Sequence, residues 1–183
     1  LVIRQVLGNE QVTWYYVTSL IGKTLVLLIA PINTIVISYL TKRKERLTRS
    51  QYGKAALAGG IVSFVFFLAC QVGTPLFVWL FYRNLYDSVK GIVTVVNLAQ
   101  ILGLYSAFLF ILVLTFTDER WQLGLQLAHF GILLAVSIPA AKMYRLAGFA
   151  YASLGANILR VAAVIILGLV KAQNGKESKD EYR

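Results

Sequence analysis

Apolar residues in this chain run in long blocks, not in short alternating stripes. Blocks of about 18 or more apolar residues predict transmembrane helices. Five such blocks stand out, at 13–40, 55–81, 91–115, 122–140 and 148–170. The first two are long enough to tilt or to extend beyond a bilayer. Residues 1–12 are expected as a short external loop that follows a span outside this sequence. Aromatic residues mark the ends of the blocks: Trp14, Tyr15 and Tyr16 open the first, Trp79, Tyr82 and Tyr86 close the second, and Trp121 opens the fourth. Such rings form the belts that sit at membrane–water interfaces.

Composition agrees with this pattern. The chain is 58% hydrophobic and 14% charged, with a mean hydropathy of +0.69; soluble domains carry about 25% charged residues. The expected fold class is therefore all-α, a polytopic transmembrane helix bundle. The net charge of +10 would suggest nucleic acid on a soluble chain. Here the cations lie mainly between spans, where topology demands them, so no nucleic-acid partner is expected.

Six lysines and arginines fall in the loop 41–54: Lys42, Arg43, Lys44, Arg46, Arg49 and Lys54. Alternation of the spans groups this loop with Arg120 and the tail, eleven cations in all, against five on the other side (Arg4, Arg83, Lys90, Lys142 and Arg145). The positive-inside rule makes the first side cytoplasmic. The tail 171–183 is polar and mixed in charge, and is expected to be disordered and cytoplasmic.

Polar residues inside the blocks carry the candidate chemistry. Lys23 and Arg160 lie near the midplane of their spans, and a central charge costs about 2.5–3.5 kcal/mol on insertion scales. Such a residue faces a water-filled cavity or a partner, or snorkels to the interface. None of the five spans holds an acid to pair with either cation. Two unpaired cations at similar depth suit an anionic ligand such as a pyrophosphate or an acidic sugar, with Arg giving bidentate contact and Lys a point charge. Asn157 lies three residues before Arg160 and shares its face. Pro31 bends its helix or marks a hinge, and Asn33 satisfies freed backbone groups or lines a cavity. These five residues form the candidate substrate site, with Pro31 as its hinge.

His129, Gln126 and Gln71 are further polar residues in or near spans, and Asn97 and Gln100 share a face of the third. A helix-to-helix hydrogen bond suits His129 better than a proton relay, since no acid accompanies it. Gly59 and Gly60 permit close helix packing. Cys70 is the single cysteine, so no internal disulfide forms. No HExxH, CxxC, GxxxxGKS or GxSxG motif occurs, so no metal, cofactor or catalytic residue is expected.

The order of features carries a resemblance. LGNEQVTWYY runs into a long span with API near its end; SYLTKRKERL follows, then a second span ending WLFYRNLYDSV and a third beginning VVNLAQILGLYS. This resembles the C-terminal half of bacterial polysaccharide exporters and lipid-linked oligosaccharide flippases of the multidrug/oligosaccharidyl-lipid/polysaccharide exporter superfamily. The resemblance implies a transporter of two six-helix lobes, of which this chain is most of the second. It implies transport of undecaprenyl-pyrophosphate-linked glycans across the bacterial cytoplasmic (inner) membrane by alternating access. Membrane lipids, and polysaccharide polymerases and glycosyltransferases, would be its partners. Lys23 and Arg160 fit a cationic cavity for the lipid's phosphates. Two other readings stand beside it: a multidrug extruder of the same superfamily, and a membrane-embedded polysaccharide-assembly enzyme, which the short external loops disfavour.

Overall fold

The computed structural model describes residues 2–42, 47–114 and 116–172. These residues form six helices and no β-strand: α1 (Val2–Leu7), α2 (Asn9–Lys42), α3 (Arg49–Phe81), α4 (Arg83–Val89), α5 (Val93–Leu114) and α6 (Glu119–Lys171). Four of them, α2, α3, α5 and α6, are long and apolar enough to cross a membrane. The tail from 173 onward and residues 43–46 of the basic loop lie outside the described residues.

Local chemistry explains where the helices begin and how they tolerate polar side chains. Thr48 caps α3 through a capping box. Its hydroxyl accepts from the Gln51 amide at 3.3 Å, while the Gln51 side-chain oxygen accepts from the Thr48 amide at 3.2 Å. The stretch 41–54, expected as one loop, is therefore helical at both ends. In α2 the hydroxyls of Thr13, Thr18, Thr24 and Thr34 each donate to the carbonyl four residues back. This satisfies a polar group without leaving the helix, as lipid surroundings require. α2 runs unbroken across Pro31. The stretch 1–12, expected as a loop, is helical over Val2–Leu7 and again from Asn9. The loop expected at 82–90 holds α4.

α5 is the central element. It packs on α2, α3 and α6, and half of its most apolar stretch is buried by protein. At 22 residues it is about 33 Å long, close to a bilayer's hydrocarbon thickness of about 30 Å. The outer helices leave large apolar side chains uncovered, among them Leu27, Val72 and Val170. On membrane-spanning helices these are the lipid-facing positions.

α6 departs most from expectation. The fourth and fifth blocks, expected as separate spans joined by a loop at 141–147, lie in one element. That element is broken only at Tyr144 (φ −120°, ψ 16°) and Arg145 (φ 54°, ψ −137°). The break reverses the chain. Arg160 of the second arm bonds Gln126 of the first at 3.0 Å, and Lys171 lies 5.5 Å from the ring of Trp121. Gly148 is where the arms meet: a Cβ there would run into the Ala140 carbonyl and the Tyr144 side chain. Arg145 adopts a backbone conformation that suits glycine, at a cost of order 1–3 kcal/mol. Arg145→Gly is accordingly expected to raise the melting temperature by about 2–4 °C, and Arg145→Val to lower it, in thermal melts of the detergent-solubilised protein.

Contacts between helices define two poles. At one, Leu40, Leu47, Tyr52, Phe116 and Ala172 share a single buried cluster. At the other, Val17, Val78 and Val89 pack with Trp14 and Tyr86, and Tyr15 meets Phe149 edge-on at 5.2 Å. The first pole gathers the end of α2, the start of α3, the α5–α6 connection and the end of α6. Lys42, Arg49, Lys54, Arg120 and Lys171 therefore cluster at one end of the bundle. At the opposite end Lys90 donates to Asp87 at 2.8 Å, and this bond holds the Lys90 ammonium above its ordinary pKa.

Candidate functional site

Between α2, α5 and the second arm of α6 lies a polar cleft of about 340 Å³. Helical periodicity assembles it. Ser153, Asn157 and Arg160 fall at i, i+4 and i+7 on α6, one face of that arm. Ala99, Gln100 and Gly103 face them from α5, and Tyr15 and Val26, three turns apart on α2, complete the lining. Gly22 lets α2 come close to α5, because a Cβ there would stand 3.0 Å from the Gln100 Cβ.

Each polar group has a physical role. The Asn157 amide donates to the Ala99 carbonyl at 3.0 Å and ties α6 to α5. Tyr15 and Ser153 both line the cleft, from α2 and α6. The Arg160 guanidinium donates through Nη2 to Gln126 Oε1 at 3.0 Å, and its Cζ lies 5.1 Å from the centre of the Phe110 ring. Arg160 Nε is buried and has no hydrogen-bond partner. Acids are missing from the surroundings: apart from Glu10 and Glu119 in first turns, α2, α3, α5 and α6 contain none. A half-buried guanidinium thus holds an uncompensated charge at a polar cleft, while its unpaired Nε is buried away from it. An anionic group of planar geometry would compensate that charge.

The structure brings Arg160 and Asn157 together and leaves the other expected site residues elsewhere. Lys23 is exposed on α2, with Nζ 4.5 Å from the centre of the Tyr16 ring. At roughly 100° per residue it points about 100° from Gly22 and about 60° from Val26. Asn33 shares the face of Gly22 and Val26 but lies further along the helix and does not line the cleft; its Oδ1 is buried without a partner. Pro31 is exposed, two residues before it. Sequence reasoning passed over Ser153, and placed Tyr15 only in the interfacial belt. The signal available for Ser153 was its spacing to Asn157 and Arg160.

The remaining polar residues act as scaffold. The Asn97 amide donates to the Cys70 carbonyl at 3.0 Å and to Gln71 Oε1 at 3.2 Å, and its oxygen accepts from the Thr74 hydroxyl at 3.1 Å. This network is buried and fully satisfied, and it fastens α3 to α5. His129 lies on the first arm of α6. Gly59 lies under the Phe108 ring, and the Tyr105 hydroxyl donates to the Ala56 carbonyl at 2.9 Å. Among the described residues no three His, Cys, Asp or Glu side chains gather as metal ligands. Comparison with family models, with curated proteins and with solved structures finds no match to this chain, so its fold and its cleft stand on their own geometry.

Proposed function

We propose that this chain is the membrane part of a transporter, not an enzyme, and that it moves lipid-linked oligosaccharide or polysaccharide precursors across the bacterial cytoplasmic membrane by alternating access. The observation that carries this reading is Arg160: a half-buried cation, with no acid near it, lining a polar cleft inside an apolar helix bundle. Intramembrane charges of this kind mark substrate pathways. The pyrophosphate of a polyprenyl-linked glycan presents the anionic oxygens that such a guanidinium accepts. The feature order that resembles the oligosaccharide-exporting half of a two-lobe transporter supports the same cargo class. A cleft for cationic drugs would call for an acid, which these helices lack beyond Glu10 and Glu119 in their first turns.

The topology that suits this function has five crossings, with each arm of α6 spanning once. The arms are about 37–39 Å long, enough for a hydrocarbon core of about 30 Å, and they run antiparallel. The basic pole then faces the cytoplasm, as does the end of α6.

Direct binding tests the reading. The purified protein in lipid nanodiscs is expected to bind a polyprenyl pyrophosphate more tightly than the neutral polyprenol. Arg160→Gln should weaken pyrophosphate binding by roughly tenfold or more, the value of a charge-assisted bond of about 1.5–3 kcal/mol. Lys23→Gln should leave it within about twofold. Equal binding of both lipids, indifferent to Arg160, would remove the cleft from the transport path.

A further inference from the structure

At the basic pole a second, larger recess of about 520 Å³ opens between α2 and α3. Phe108 and Leu112 of α5 form its floor, and Leu40 of α2 and Ala55 of α3 form its walls. Ile35 and Tyr39 stand at its edge, both about two-thirds exposed. The recess is lined almost wholly by apolar residues, with Gln51 the exception among aliphatic and aromatic side chains.

Charge is distributed unequally along it. Lys42 lies two residues beyond Leu40, and Arg49 two residues beyond Leu47, a lining residue at the basic end. Lys54 neighbours Ala55 and lies one turn from the lining residue Ala58. All three cations are exposed, and among the described residues none is in an ion pair. Gln51, which also lines the recess, lies between them in sequence. One end is therefore cationic and the rest is hydrocarbon-like.

We infer that this groove is a binding site for an anionic glycerophospholipid of the surrounding leaflet. An acyl chain lies between α2 and α3, and the phosphate rests on Lys42 and Lys54, since Arg49 falls on the opposite face of α3 from Gln51, Ala55 and Ala58. A neutral lipid would satisfy the apolar groove alone. A free phosphate would satisfy the cations alone. Only a lipid with an anionic head matches both ends, and each basic residue at such a surface strengthens binding by roughly fivefold. The inference does not depend on which cargo the Arg160 cleft takes.

Native mass spectrometry of the detergent-purified protein, offered equimolar palmitoyl-oleoyl phosphatidylglycerol and phosphatidylcholine, tests it. The wild type should retain phosphatidylglycerol over phosphatidylcholine by on the order of tenfold or more. The combined change Lys42→Gln and Lys54→Gln should erase that preference, whereas Lys42→Arg with Lys54→Arg should keep it. Ala58→Phe, which fills the groove from an exposed position and leaves every charge in place, should reduce retention of both lipids. Equal retention of the two lipids by the wild type would overturn the inference, as would a preference that survives the loss of both lysines. A groove occupied by a second copy, seen as a lipid-free dimer that Ala58→Phe dissociates, would overturn it as well.

Discussion

Tyr52→Ala is expected to destabilise the protein by about 3–5 kcal/mol, the cost of emptying a buried aromatic site. Tyr52 is fully buried. Its hydroxyl donates to the Val164 carbonyl at 3.1 Å, its ring meets Phe116 edge-on at 5.9 Å, and Gly168 lies directly against that ring. One side chain thus joins α3, the α5–α6 connection and the second arm of α6 at the basic pole. Tyr52→Phe should cost only about 0.5–1.5 kcal/mol, since it removes the hydrogen bond and keeps the ring. Gly168→Leu should also destabilise, because its side chain must enter space the ring occupies. The double variant Tyr52→Ala/Gly168→Leu should recover part of the loss, since the leucine then fills the cavity. Thermal melts in detergent would read these differences, with Tyr52→Ala lowering the midpoint by roughly 10 °C. Full additivity of the two changes would mean that the pair does not form this contact.

Arg160→Glu is expected to abolish export in cells. The substitution places an anion where the proposed cargo brings its pyrophosphate, so attraction becomes repulsion in surroundings where charges are weakly screened. Arg160→Ala should reduce export strongly, because the cleft then loses its cation but gains no repulsion. Arg160→Lys should retain part of it, since lysine keeps the charge but loses the fork of donors that grips two oxygens at once. The readout is surface polysaccharide set against lipid-linked sugar trapped inside, at matched protein levels in the membrane. Normal export by the Glu variant would mean that Arg160 is a structural partner of Gln126 and Phe110 and nothing more.

The fold was legible where composition and periodicity decide it. The first three apolar blocks fall on α2, α3 and α5 and the last two on the two arms of α6, and the side-by-side arrangement of the basic segments at one pole follows from alternation of those blocks. The start of α3 was missed, since 41–54 was expected as a loop, although TRSQ at Thr48–Gln51 is a capping-box sequence. The reversal in α6 was not legible. The stretch PAAKMYRLAG carries its one glycine three residues past the turn, and Arg145 takes up the positive φ that a glycine would advertise. A basic loop was therefore expected where two residues suffice.

The cleft was half legible for a related reason. Depth can be counted along a helix, so Arg160 was found, and Asn157 followed from its i+3 spacing. Direction depends on how a helix is rotated against its neighbours, and no count along α2 fixes that. Lys23 has the depth but turns to the Tyr16 ring. Gln126, by contrast, becomes the partner of Arg160 only because α6 folds back on itself.

The most direct test of the transport reading is reconstitution. The protein expressed from its gene would be placed in liposomes, and movement of a fluorescent polyprenyl-pyrophosphate-linked sugar between leaflets followed by quenching from outside. Expected is translocation well above protein-free vesicles, lost in Arg160→Glu and retained in Lys23→Gln. Translocation no faster than in empty liposomes, from protein that still binds the lipid, would contradict the proposed function.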